Sequence, residues 1–248
     1  MGLLGLEILP TLMCLLSIAF GGFLRGFLGF GAALVIVPCL SMVLPPVVAV
    51  GILVLIELPN ILYLVPSSIR DANFKVLKPM LLGLFLSVPI GTMLLISTEP
   101  KTMRMVIAII LLFTVVLLAS GWRLNGQIGN FVFFGAGTLG GFIQGSAGVG
   151  GPPLVTALMS LPDRSVNVRA NIIVALSVLS IMNFMVLLYH GKITSNILFF
   201  SLLSAPLYVL LNFIGAKFFS GYGNIYFRRA ALVVISSIAL LTLYLNAF

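Results

Sequence analysis

Residues 21–35 read GGFLRGFLGFGAALV, and residues 140–154 read GGFIQGSAGVGGPPL. Six positions coincide: Gly21/Gly140, Gly22/Gly141, Phe23/Phe142, Gly26/Gly145, Gly29/Gly148 and Gly31/Gly150. The shared order of small and aromatic residues argues for two related halves rather than chance glycines. A weaker echo follows, because Ile90-Gly91 and Ile214-Gly215 each precede an arginine, Arg104 and Arg228, by the same spacing. Asn60 and Asn183 also align roughly. The halves expected from this pattern are residues 1–125 and 126–248.

Around these stretches the chain is strongly apolar. Of its 248 residues 61% are hydrophobic and only 7% are charged, against roughly 25% in a soluble domain. Too few polar side chains exist to cover a water-facing surface, and apolar runs long enough to span a bilayer recur throughout. The net charge of +8 does not point to nucleic acid, since the basic residues stand singly or in pairs between apolar runs. Their expected role is to set topology. Cys14 and Cys39 lie inside apolar runs and read as packing residues. The first residues lack the basic start of a cleaved signal, so the first apolar run is expected in the mature chain.

Breaks at Gly, Pro and charge divide the chain into ten segments. They cover residues 6–24, 28–44, 47–65, 79–97 and 105–120, then 129–143, 151–161, 171–189, 197–219 and 230–248. The expected fold is therefore an all-α polytopic membrane protein of two repeats, each with about five segments and opening with a glycine-rich broken-helix hairpin. These hairpins either cross fully or turn back partway. An odd number of segments per half turns the second half upside down, the inverted-repeat plan of many secondary transporters.

Loop charges set the orientation. One side collects Arg25, Arg70, Lys75, Lys78, Arg123, Arg164, Arg169, Arg228 and Arg229, with Lys217 nearby. The other side holds Lys101, Arg104 and Lys192. Ten against three makes the first side cytoplasmic and puts both termini outside. An eight-span alternative divides the same charges five to eight and explains nothing.

The runs GGFLRGFLGFGAALVIVPCL followed by LPP, and GGFIQGSAGVGGPPLVTALM followed by LPD, resemble the TauE/SafE family of sulfite and sulfonate exporters. So does NFIGAKFF, which ends before Arg228 and Arg229. The resemblance covers essentially the whole chain. It implies a multi-pass permease of the bacterial inner membrane for a small sulfur oxyanion or organosulfonate, such as sulfite or sulfoacetate. Arg25 stands where the second repeat has Gln144, so the two half-sites are chemically unequal.

The candidate site follows from the glycine turns. A helix start carries unpaired N–H groups and partial positive charge, which attract anions, and glycine allows close approach. The first turn offers Arg25, Gly29, Phe30 and Gly31. The second offers Gln144, Ser146, Gly148, Gly150 and Gly151. Pro152 and Pro153 suit the first turn of the helix that follows. The competing reading is that the glycines only pack helices, since Gly22/Gly26 and Gly141/Gly145 have small-xxx-small spacing. Arg25 either neutralises the substrate or snorkels to the cytoplasmic edge. Asn171, beside Arg169, is a candidate for the path.

Glu57 is the one acid deep within a span. It is either a coupling residue or a hydrogen-bonded structural group. An enzyme is not expected: Ser146 has no base, the sole histidine, His190, ends another span, and no cluster offers metal ligands. No cofactor or ATP motif is read, so a gradient would drive transport. A channel-like pore without ion coupling and an assembly subunit are the alternatives. Expected partners are the solute and the lipid bilayer, with no nucleic acid, and a homo-oligomer is compatible.

Overall fold

A computed structural model describes residues 7–28, 31–120, 129–161 and 165–222. These residues form nine helices and no strand. The first five are α1 (Ile8–Leu28), α2 (Ala32–Val43), α3 (Pro46–Ser68), α4 (Phe74–Ser97) and α5 (Pro100–Ser120). The remaining four are α6 (Asn130–Ala147), α7 (Gly151–Met159), α8 (Ser165–Tyr189) and α9 (Ser195–Tyr222). Each expected segment up to residue 219 corresponds to one helix. The tenth segment, 230–248, lies outside the described residues, as do Arg123, Arg164, Arg228 and Arg229.

Six of these helices, α1, α3, α4, α5, α8 and α9, are long and apolar enough to cross a membrane. The described residues are helical throughout their regular structure, and the chain is a multi-pass membrane protein. Its outer surface agrees with that: Leu82, Leu86, Ile90 and Met93 form an exposed apolar stripe along α4, and Phe199, Leu203, Leu210 and Phe213 do so along α9. In lipid such stripes need no polar cover. The short helices differ. At 1.5 Å per residue, α2 and α7 span only about 18 Å and about 14 Å, less than a bilayer core of about 30 Å.

One helix start is set by a side-chain cap. The sequence reading begins the fourth segment at 79, after two lysines. The helix begins earlier because Asn73 caps it, its side chain accepting from the Lys75 N–H at 3.1 Å. Lys75 and Lys78 therefore ride on its first turns.

Glycines decide which helices meet. The most extensive helix contacts are those of α4 with α6 and α1 with α9. A Cβ on Gly26 would strike the Asn212 carbonyl of α9, and one on Gly22 would strike Tyr208. On the other pair, Gly137, Gly141 and Gly145 lie against Met80, Leu84 and Val88 of α4. The contacts are mutual: Gly91 abuts Phe142, and Gly215 abuts Phe23. Backbones this close gain dispersion contacts that larger side chains would forbid.

Candidate functional site

Arg25 lies in the last turn of α1, where a cation suits the negative end of the helix dipole. It does not point free into the path. Its Nη1 pairs with Oε1 of Glu57, midway along α3, at 3.5 Å. The other Glu57 oxygen accepts from Ser180 Oγ of α8 at 2.7 Å. Both sides of this pair are largely buried, with side-chain exposures of 17% and 7%. A lone charge at such depth is costly, and pairing offsets that cost.

The ion pair lines a small cavity of about 30 Å³, room for a water or two. Arg25, Gly31, Glu57, Gln144, Gly148 and Gly151 all border it, together with Ser180 and apolar side chains such as Leu176 and Leu179. Six of the expected site residues are thus brought together. Gly29 and Phe30 lie outside the described residues. Ser146 borders α6 itself, its hydroxyl donating to the Phe142 carbonyl at 2.8 Å. Gly150 sits behind the cavity wall, where a Cβ would strike the Gly140 carbonyl. Asn171 is elsewhere, its Oδ1 accepting from the Asn73 N–H at 2.7 Å.

The two turns are built differently. Gly148 ends α6 in the left-handed region, φ 71°, and its N–H donates to the Gln144 carbonyl at 2.8 Å. The Gln144 side chain reaches over the turn, and its Oε1 accepts from the Gly150 N–H at 3.0 Å. Pro152 and Pro153 then remove two more donors from the start of α7. Few backbone N–H groups remain there for a ligand. At the first turn Gly31 caps α2 at φ 102°, a conformation that favours glycine. The next residues, Ala32 and Ala33, are not prolines and keep their N–H groups at the helix start.

A polar chain supports the second turn. Asn183 of α8 donates from Nδ2 to the Gln144 carbonyl at 3.1 Å. Thr92 Oγ1 of α4 lies 3.1 Å from Asn183 Oδ1 and 2.9 Å from the Val88 carbonyl. Asn60 of α3, which stands 123 residues before Asn183, and Tyr208 of α9 are both buried.

The family model for the sulfite exporter TauE/SafE matches residues 14–242. The chain belongs to the TauE/SafE family. It is also 24% identical over 237 residues to a protein of Cupriavidus necator named a probable sulfite/organosulfonate exporter TauE, covering 93% of each chain. No solved structure matches it. In this TauE/SafE member the sequence reading missed Ser180, although a signal existed. Ser180 follows Glu57 by the same 123 residues that separate Asn60 from Asn183.

Proposed function

We propose that the protein exports a small sulfur-containing anion, such as sulfite or an organosulfonate, across the bacterial inner membrane. In this reading it works by alternating access between two inverted halves, 1–125 and 126–248, and a gradient drives it. The observation that carries the reading is the Arg25–Glu57 pair buried at a cavity between α1, α3 and α8 of a TauE/SafE chain. A guanidinium has five donors in a planar fork that matches oxyanion geometry. An arriving anion competes with Glu57 for that fork.

The inverted plan is supported by matched contacts. Glycines of α1 seat on α9, and glycines of α6 seat on α4. Glu57 and Ser180, at corresponding positions, bond to each other, as residues flanking a twofold axis would. The cavity is then at the repeat interface, where transporters of this plan hold substrate.

Flux of sulfite into proteoliposomes under an imposed proton gradient tests the proposal. The expected result is uptake against the sulfite gradient that collapses with the proton gradient. Flux indifferent to the proton gradient identifies a channel-like pore. Glu57→Gln removes titration and keeps the shape, so exchange should survive while accumulation is lost. Unchanged accumulation leaves Glu57 structural. For orientation, reporters active on one side only should place the C-terminus outside.

A further inference from the structure

Glu57 gives its two oxygens to two different partners. Oε1 faces the Arg25 guanidinium at 3.5 Å, and Oε2 accepts from Ser180 Oγ at 2.7 Å. Both charges are largely buried and border one cavity, and a membrane interior tolerates them only while they compensate each other. Tyr208 of α9 brings a phenol into electrostatic contact with both. Among the described residues α2 carries no charged side chain. Those of α4, α5, α8 and α9 stand within two turns of a helix end: Lys75 and Lys78, Lys101 and Arg104, Arg169, and Lys217. An anion that takes the Arg25 fork therefore meets Glu57 as the charge beside it. With Glu57 ionised, two negative charges share one guanidinium. With Glu57 protonated, anion and guanidinium balance. Ser180 serves either form, because a hydroxyl donates to a carboxylate and accepts from a carboxylic acid.

We infer that the site takes up the anion and a proton together, the proton on Glu57, so that both cross the membrane in the same direction. The inference rests on the transport reading above and gives its gradient a sign. The linkage is reciprocal: a proton on Glu57 frees Arg25 for the anion, and an anion on Arg25 favours the proton by the same factor. Exchange of the anion for a proton would need the opposite arrangement, in which the two exclude each other. An acid-outside gradient thus draws the anion in. Export runs instead on the solute's own gradient. For a dianion carried with one proton it also runs on the membrane potential, which acts on the one net negative charge.

Methanesulfonate is the probe, because its single negative charge is fixed near neutral pH, whereas sulfite takes up a proton of its own. Proteoliposomes of the full chain are loaded with methanesulfonate and a pH-sensitive dye. They are then diluted into anion-free medium at equal pH, with the membrane potential clamped. Efflux should turn the lumen alkaline, whereas a lumen that turns acid reports exchange and overturns the inference. Calorimetric titration of purified wild type in buffers of different ionisation enthalpy counts the same proton and needs no variant to fold. Affinity should rise as pH falls, by at most about tenfold per pH unit, the slope of one linked proton. Glu57→Gln should bind at least as tightly, lose that slope and leave the lumen pH unchanged during efflux. A slope that persists in folded Glu57→Gln puts the proton elsewhere and overturns the inference. Sulfite is run in parallel, its own proton cancelling in the difference between wild type and Glu57→Gln. If either ion binds and crosses without a proton on Glu57, the cotransport is wrong and the transport reading survives. If neither ion binds or crosses, the transport reading falls, and the cotransport with it.

Discussion

Around the second turn, Gln144 closes the loop from both ends. Its side chain accepts from Gly150, its carbonyl accepts from Gly148 and Asn183, and Asn183 in turn meets Thr92. Around the first turn the corresponding position is Arg25, which reaches away from its own turn to Glu57. The second turn is thus tied down by its own hydrogen bonds, and satisfied buried networks of this kind rigidify a structure. The first turn leaves its charged side chain to pair with a carboxylate on another helix. The difference teaches that one turn is closed off as scaffold while the other carries the charge.

The sharpest way to test what the halves share is to crowd their helix contacts. Gly145→Val and Gly26→Val each drive a side chain into a facing carbonyl, of Val88 and of Asn212. Backbone cannot step aside as a side chain can, so both variants should lose the folded monodisperse peak in size-exclusion chromatography. A folded Gly145→Val with a collapsed Gly26→Val would show that the halves are not packed alike.

The asparagines test what the halves do not share. Asn183→Leu removes two buried hydrogen bonds and should cost about 1–3 kcal/mol of stability, read as a clear fall in thermal midpoint. Asn60→Leu removes a donor that has no acceptor, and should be neutral or stabilising within about 0.5 kcal/mol. Equal losses at both positions would erase the distinction between the two asparagines. The smallest effect belongs to Gly151. Its added methyl would meet only the mobile end of Leu176, at 3.3 Å, while facing the cavity. Gly151→Ala should leave stability within about 0.5 kcal/mol and weaken sulfite binding a few-fold in the same titration.

Much of this architecture is legible in the chain because apolar runs and glycine turns are local signals. The runs that became α3, α4, α8 and α9 are long enough to cross a bilayer, and Gly31 and Gly148 mark turns that require positive φ. The partner of Arg25 is not legible. Glu57 lies on another helix, and only the packing of α1 on the bundle brings the two together. Asn171 was read through its neighbour Arg169, but its side chain turns instead to the loop before α4. The start of α7 looked like an anion cradle from its glycines. Pro152, Pro153 and the Gln144 cap leave it few donors, and the prolines alone were a visible warning. Ser180 needed the repeat to be followed past the glycine motif, to a register carried by two asparagines.

Titration of sulfite into purified wild-type, Arg25→Gln and Arg25→Lys protein tests most directly the claim that the first half's charge receives the anion. Losing one charge-assisted contact costs roughly 1.5–3 kcal/mol, about ten- to hundredfold in affinity. Arg25→Gln should show that loss, and Arg25→Lys should recover only part of it, because an ammonium lacks the planar fork. Near wild-type affinity in folded Arg25→Gln, or full recovery by lysine, would contradict the account and leave Arg25 only a structural partner of Glu57.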